Sequence, residues 1–175
     1  IWSSASPDFG LEALRDRFEQ LEPKALFAST HYRYGGKVFE TRETVTAATA
    51  RMESLEKVIS VPYPSGESKI VGNVSWSEFL GQDSPELNYE TLPFDHPLFI
   101  LFSSGTTGKP KCIMHGAGGT LLQHRKEMQL HCDLHPGDAL LYFTTLGWMM
   151  WNWQLSALSL GCTVCLFDGN PAYPD

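Results

Sequence analysis

The sequence lacks any block of basic residues. Its 13 lysines and arginines are outnumbered by 20 aspartates and glutamates, so the 175-residue chain has a formal net charge of −7. A balance of this sign does not favour broad electrostatic binding to nucleic acid or to anionic lipid. Any phosphate group that the protein binds must therefore be held by local groups.

We also predict no secretory signal in residues 1–18, because no basic region there precedes an apolar core. Charged residues are absent from 139–167, a segment long enough to cross a bilayer. That segment contains several polar residues and glycines, however, and Asp138 and Asp168 border it without a basic anchor. We therefore predict a buried α/β core in this segment and no membrane span.

Cysteine is sparse, with four in the chain. A zinc site is one interpretation of the ligand-type residues, which are His131, Cys132, His135, Cys162 and Cys165. Cys162 and Cys165 lie in a strand-like pattern, where positions three apart point to opposite faces, so a metal shared by this pair is awkward. We predict no metal site, and we expect buried cysteines in a reducing, cytoplasmic compartment.

The first third of the chain alternates helical and strand patterns. A helix is predicted from an N-cap at Ser6 and Pro7 up to Pro23, with Leu11, Leu14, Phe18 and Leu21 at helical spacing. Strands are predicted at 25–30, 37–40 and 58–63, with a turn at Gly35 and Gly36 between the first two, and a second helix at 45–55. Such alternation predicts an α/β layer with parallel strands.

The pattern changes after this region. Residues 64–96 are turn-rich and indicate a connecting segment on the surface. The apolar run PLFILF at 97–102 is typical of a strand buried on both faces. A helix ending near Cys132, a turn at 135–138 and a strand, helix and strand within 139–167 are predicted beyond it.

The polar stretch SSGTTGKPK follows PLFILF directly and has the composition of an anion-binding loop. Its glycines allow the backbone N–H groups to approach a phosphate, and its hydroxyl and ammonium groups are further donors. The candidate ATP phosphate-binding residues are Ser103, Ser104, Gly105, Thr106, Thr107, Gly108, Lys109 and Lys111. Composition alone favours the simpler alternative, a polar hairpin turn between two strands.

Spacing excludes two common phosphate motifs. A Walker A loop has four residues between its first glycine and the Gly-Lys pair, whereas here two residues separate them and Pro110 occupies the hydroxyl position. The GAGG stretch at 116–119 is not a dinucleotide fingerprint either, because Leu121 stands where the third glycine belongs. A P-loop kinase and a Rossmann dehydrogenase thereby lose their main support.

The order from Ser104 to Lys111 resembles the phosphate loop of the adenylate-forming superfamily, Ser-Gly-Thr-Thr-Gly-x-Pro-Lys, at every fixed position. Cys112 departs from the glycine that many members have next, outside the signature. Longer stretches resemble the acetoacetyl-CoA synthetases in particular, at 21–37, 97–124, 147–161 and 166–175. The resemblance implies that residues 1–175 are part of the large N-terminal domain, a layered α/β sheet flanked by helices, and that the later motifs and the lysine-bearing C-terminal domain are missing.

The same resemblance implies an ATP-dependent acid:CoA ligase that acts on acetoacetate through an acyl-adenylate. Its small-molecule partners would be ATP with Mg²⁺, coenzyme A and the acid, with no nucleic acid, and it would need the missing C-terminal part. The family position places Trp148 and Met150 beside the acyl group, and we hypothesise that the Asn152 amide satisfies the β-keto oxygen. His115 has two open interpretations, a contact to nucleotide or substrate and a structural histidine.

No catalytic residue is assigned within the chain. We predict that the 175 residues alone show no ligase turnover. The alternative is a truncated, non-catalytic folding or interaction module that retains the phosphate loop.

Overall fold

The computed structural model describes residues 2–64, 71–81, 86–102 and 111–174. The chain packs into two compact units, one formed by Ile1–Glu86 with Asp168–Asp175 and the other by Leu87–Phe167. Each unit combines small β-sheets with flanking helices. The predicted α/β fold class is confirmed.

The first unit is built around a three-stranded parallel sheet. The described part of the unit contains five strands, which are β1 (Ala25–Ser29), β2 (His31–Tyr34), β3 (Lys37–Glu40), β4 (Lys57–Val61) and β5 (Val74–Ser75). Its α-helices are α1 (Leu11–Phe18), α2 (Arg42–Thr49) and α3 (Trp76–Leu80). The sheet has the order β1-β4-β5, with Phe27 opposite Ile59, whose side chain is fully buried. The parallel pairing that the alternating pattern predicted is confirmed.

The Gly35-Gly36 turn joins a different pair of strands from the predicted one. It connects β2 to β3, which pair antiparallel, whereas β1 pairs with β4. The φ angles of Gly35 and Gly36 are 54° and 73°, a left-handed conformation that glycine adopts without a Cβ clash and that suits a two-residue hairpin. The prediction did not include the HYRY stretch, although Tyr32 and Tyr34 alternate with His31 and Arg33 as in a strand.

Both helices of the first third are shorter than predicted. α1 begins at Leu11 after the extended Gly10 and continues into a 3₁₀ helix (Glu19–Leu21), so it is shorter than predicted mainly at its start. There the carbonyl of Ser6 accepts a hydrogen bond from the N–H of Phe9 in a separate turn. α2 ends at Thr49, and the chain continues through tight turns closed by hydrogen bonds from Met52 and Leu55. For the second helix, the apolar residues at helical spacing therefore extend beyond the hydrogen-bonded turns of α2, to Met52 and Leu55.

Part of segment 64–96 is regular. β5 runs into α3 through a capping box, in which the Ser75 hydroxyl accepts a hydrogen bond from the N–H of Glu78 at 3.2 Å. The Glu78 carboxylate in turn accepts one from the N–H of Ser75 at 3.4 Å. This reciprocal pair satisfies two amides that a helix start otherwise leaves without partners.

The second unit contains two strand pairs. Its strands are β6 (Pro97–Phe102), β7 (Cys112–Gly116), β8 (Ala139–Leu141) and β9 (Thr163–Cys165). Its helices are α4 (Ala117–Lys126), which continues into a π-helical turn (Glu127–His131), and α5 (Met149–Leu155), which continues into a 3₁₀ helix (Ser156–Leu160). β8 and β9 pair in parallel, with α5 between them in the chain, so the α/β prediction for 139–167 is confirmed. None of the helices in the described ranges is long and apolar enough to cross a membrane.

β6 forms where predicted, but the prediction that both of its faces are buried is wrong. Leu98 is 50% exposed and Ile100 is 46% exposed, while Phe99 and Leu101 are half-buried. Within the described residues β6 has one hydrogen-bonded neighbour, β7, and the two strands are antiparallel. A two-stranded ribbon of this kind leaves one face uncovered, whatever the hydropathy of its residues.

The core of the second unit lies around α5. Its buried residues are Met128, Trp153, Ala157, Leu160 and Cys162. All four cysteines are free thiols, and the expectation that they are buried is wrong for Cys112 and Cys132, which are exposed on β7 and after the π-helical turn. Within the described parts of the chain, no group of three or more His, Cys, Asp or Glu side chains is placed to hold a metal ion.

Candidate active site

The β6–β7 ribbon brackets the predicted phosphate loop. Its register pairs Phe102 with Cys112, so the two residues that flank 103–111 lie side by side. Lys111 is exposed and lies immediately before β7. The other candidates lie outside the described residues, and their phosphate contacts stay predictions; they are Ser103, Ser104, Gly105, Thr106, Thr107, Gly108 and Lys109.

The GAGG stretch has a packing role at the start of α4. Gly116 is the extended N-cap residue of that helix. The N–H of Gly118 donates a 2.8 Å hydrogen bond to the carbonyl of Phe94, and a Cβ on Gly118 would lie 2.1 Å from the Phe94 ring. This glycine therefore permits the close approach of the chain before β6 to the first turn of α4.

An open groove of about 790 Å³ runs between α4 and α5. It is lined from β7, α4, the π-helical turn and α5, by side chains that include His115, His124, Glu127, Met149, Met150 and Trp153. The groove therefore brings together His115 and Met150, two residues that the sequence singled out. Its walls combine imidazole, carboxylate, thioether and indole groups, which suit a small ligand with both polar and apolar parts.

The three proposed acyl-pocket residues do not share one face of α5. Trp148, the N-cap residue, is 65% exposed. Asn152 lies four residues later, hence on the same side of the helix, and is half-buried. Met150 lies between them in the chain and lines the groove, which the other two residues do not. The structure thus places Met150 on the groove side of α5 and Trp148 with Asn152 on the other side.

Two side-chain hydrogen bonds tie α4 and its π-helical turn to α5 and the 3₁₀ helix. The indole N–H of Trp153 donates to a Glu127 carboxylate oxygen at 3.1 Å. The Nδ1 of His124 lies 2.9 Å from the hydroxyl of Ser156, and that hydroxyl lies 3.2 Å from the carbonyl of Asn152. Because the hydroxyl proton is used on that carbonyl, we assign the ring proton to Nδ1, with Ser156 accepting its hydrogen bond.

The pKa of His124 is lowered from its usual 6.5, first because burial disfavours the imidazolium. The nearby Glu127 carboxylate opposes this effect, while His115 adds to it by charge repulsion. His124 is therefore a neutral, hydrogen-bonded residue of the groove wall.

The sequence patterns did not predict the buried or hydrogen-bonded roles of Gln154, His124 and Glu127 in this region. Gln154 is 1% exposed and is the most deeply buried polar side chain of α5, whereas the sequence drew attention to Asn152. His124, Glu127 and His131 are spaced three and four residues apart, and this polar stripe along one helical face was the available signal. The partners of Glu127 and His124 are Trp153 and Ser156, which are 26 and 32 residues away in the chain and are brought near only by folding.

Comparison with known proteins agrees with the phosphate-loop signature. A family model described as "AMP-binding enzyme" matches residues 1–175. The acetoacetyl-CoA synthetase of Mus musculus is 48% identical over 99% of this chain, which spans 27% of that protein. The malonamoyl-CoA synthetase vrtB of Penicillium aethiopicum is 41% identical over 99% of the chain, which spans 25% of it.

A solved structure extends this similarity to the fold. The acetoacetyl-CoA synthetase from Streptomyces lividans matches with a TM-score of 0.88 and 46% sequence identity, over 99% of this chain and 27% of that one. The chain thus spans about a quarter of the length of the relatives it matches. With a family model covering every residue, the chain belongs to the AMP-binding enzyme family.

Proposed function

We propose that this chain is the phosphate-loop part of an ATP-dependent acid:CoA ligase that acts on acetoacetate or a closely related acid. The observation that carries the proposal is the extent of the similarity, since 48% identity to a mouse acetoacetyl-CoA synthetase holds over 99% of the chain. The complete signature from Ser104 to Lys111 lies within that stretch. The pairing of Phe102 with Cys112 supports it by bringing together the residues that flank the loop.

The proposed reaction has two steps. A carboxylate oxygen of the acid attacks the α-phosphorus of ATP, and the bond to the β-phosphate oxygen breaks to release pyrophosphate. The sulfur of coenzyme A then attacks the acyl carbon of the adenylate, and AMP leaves with the electrons of the broken C–O bond. We assign stabilisation of the charge on the departing pyrophosphate to Thr106, Thr107 and Lys111, together with the Mg²⁺ that accompanies ATP as substrate.

The proposed substrate class is supported by a feature that the acids of two relatives share. One is named for acetoacetyl-CoA and the other for malonamoyl-CoA. Both acids have a carbonyl group on the carbon beyond the α-methylene, and they differ in a terminal methyl or amino group. We therefore propose a β-carbonyl acid, with acetoacetate as the first candidate.

We place the acyl group at the amino-terminal end of α5, within about one helical turn of each pocket residue. Met150 would contact it from the groove side. Trp148 and Asn152 would contact it from the other side, with the Asn152 amide donating to the β-carbonyl oxygen. An acyl group at the end of the helix can contact residues on both sides of α5, which a group lying along one side could not.

The proposal is tested with a chimera in which this chain replaces the matching quarter of the Streptomyces lividans enzyme. We expect acetoacetate-dependent release of pyrophosphate and formation of acetoacetyl-CoA, with acetate a much poorer substrate. Lys111→Ala should lower kcat/KM by about a hundredfold to a thousandfold, the usual effect of removing one preorganised donor. Lys126→Ala, at an exposed position of α4, is the matched control. A folded chimera that turns over no β-carbonyl acid would refute the proposal.

The alternative is a non-catalytic folding or interaction module that retains the phosphate loop. The 175 residues alone are expected to show no ligase turnover and weak ATP binding, so acetoacetyl-CoA formed by the isolated chain would contradict this expectation. Titration of ATP, and separately of a non-hydrolysable acyl-adenylate analogue, into the chain and into Lys111→Ala separates the two candidates. Binding that the substitution weakens supports a working phosphate loop.

A further inference from the structure

The carboxylate of Glu127 joins the two helices that form the groove. One oxygen accepts the indole N–H of Trp153 at 3.1 Å, and the other accepts an amide N–H of Gln123 at 2.6 Å. Among the ion pairs formed by described residues, none includes Glu127. Both carboxylate oxygens are therefore used to orient neutral donors, one of them on the opposite helix.

Glu127 occupies the first position of the π-helical turn, a local geometry that is rare and often found at functional sites. The turn is closed by a 3.0 Å hydrogen bond from the N–H of Cys132 to the carbonyl of Glu127, five residues apart. Met128, the next residue, is fully buried in the same core cluster as Trp153. The π-helical turn thus combines a buried apolar anchor with a polar one, both directed to α5.

The Trp153 indole determines where the groove side of α5 lies. Met149 and Met150 precede Trp153 by four and three residues, so the three side chains share one helical face, and all three line the groove. Trp153 is 9% exposed, which leaves its ring little freedom once its N–H is bonded to Glu127. A shift of this ring would therefore be transmitted to Met150 through one turn of rigid helix.

We propose that Glu127 is a positioning residue for acyl selection, because its hydrogen bond to Trp153 holds Met150 at the depth that an acetoacetate-sized acyl group requires. This inference rests on the proposed function, which places the acyl group beside Met150. Glu127 acts through Trp153 and touches no substrate. Its effect is therefore on which acid is accepted, and not on the affinity for ATP.

The test uses the complete ligase containing this segment and compares kcat/KM for acetoacetate with that for 3-oxopentanoate, a β-carbonyl acid that is one methylene longer. Glu127→Leu removes the acceptor, Trp153→Phe removes the donor while keeping an aromatic ring, and Glu127→Gln keeps a carbonyl acceptor without the charge. Leu160→Ala is the matched control, since Leu160 lies in the same core but does not line the groove. Thermal unfolding of each variant separates loss of stability from loss of selectivity.

We expect the ratio of the two kcat/KM values to fall by about tenfold in Glu127→Leu and in Trp153→Phe. This is the lower end of the discrimination that an enzyme pocket achieves against one extra methylene group. The double variant should lose no more than either single variant, because both remove one interaction. Glu127→Gln and Leu160→Ala should keep the preference, and the KM for ATP should stay within about twofold throughout.

Two outcomes overturn the inference while the proposed function stands. One is an unchanged preference in Glu127→Leu, and the other is an equal fall in Leu160→Ala. A wild-type enzyme that does not convert acetoacetate would instead refute the proposed function, and the inference with it.

Discussion

Gln154 accepts a 2.8 Å hydrogen bond from the backbone N–H of Tyr142, through a side chain that is 1% exposed. The bond links α5 to the chain as it leaves β8, and so connects the helix of the proposed acyl pocket to the parallel strand pair beneath it. The side-chain oxygen of Gln154 thus accepts the hydrogen bond that a neighbouring strand would otherwise accept from Tyr142. Because a buried N–H needs a partner, this bond fixes the position of α5 along the strands.

Replacing Gln154 by methionine should therefore destabilise the chain. Methionine keeps the shape of the side chain but leaves the Tyr142 N–H without its acceptor, and we expect a loss of about 1 to 3 kcal/mol in the free energy of unfolding. Chemical denaturation of the chain measures the loss. Gln129→Met, the same exchange at an exposed position of the π-helical turn, should cost far less, and equal effects at the two sites would contradict the role given to Gln154.

Adjacent glycines of α4 should respond in opposite directions to alanine. A Cβ on Gly118 would lie 2.1 Å from the Phe94 ring, whereas a Cβ on Gly119 would meet nothing within 4 Å. Gly119→Ala should stabilise the chain by about 1 kcal/mol, the helix-propensity difference. Gly118→Ala should destabilise it by about 1 to 3 kcal/mol through overpacking. Thermal unfolding of the two variants compares them, and equal shifts in Tm would show that Phe94 does not pack there.

His124 should make the chain less stable as the pH falls below 6.5. Burial lowers the pKa of the folded imidazole, so below 6.5 the unfolded chain binds a proton that the folded chain does not, and stability falls until the folded pKa is passed. Above 6.5 both states are neutral at this position and the effect vanishes. His115 and Glu127 face the same imidazole and modify the size of the effect without reversing its sign.

The measurement for His124 is the free energy of unfolding between about pH 7 and about pH 5, in the wild type and in His124→Asn. Asparagine keeps a hydrogen-bonding group near the Nδ1 position and does not titrate. The wild type should lose more stability than the variant over this range. Parallel curves would mean that His124 keeps its ordinary pKa in the folded chain.

Asn152→Leu should reduce the preference for acetoacetate over butyrate in the complete ligase. Loss of one net hydrogen bond to the β-carbonyl oxygen corresponds to about a threefold to tenfold change in the kcat/KM ratio. Butyrate has no such oxygen, so its own kcat/KM should not fall. Asn152→Ser, which retains a donor, is the control, and an unchanged ratio in Asn152→Leu would exclude the contact.

Sequence patterns were sufficient wherever structure follows from neighbours in the chain. β1, β3, β4, the strands on both sides of α5 and the turn at 135–138 follow from apolar runs and turn residues close in sequence. The order Ser104 to Lys111 likewise pointed to the AMP-binding family, because a phosphate loop is a contiguous stretch whose spacing carries its chemistry.

Patterns failed where a residue's role depends on a partner far along the chain. PLFILF has the hydropathy of a strand that is buried on both faces, yet several of its side chains are exposed. Among the described residues, β7 is the one strand that pairs with it. Asn152 and Gln154 are equivalent in sequence as polar residues within an apolar helix, and only the position of Tyr142 makes Gln154 the buried one.

The pairing of Glu127 with Trp153 spans 26 residues and has no trace in local order. Local order specifies which segments become helices and strands and which loop carries the family signature, since those properties arise from backbone preferences and from the order of adjacent residues. Burial, the lowered pKa of His124 and the shape of the groove arise from packing between distant segments, because each depends on which side chains exclude water from a given atom.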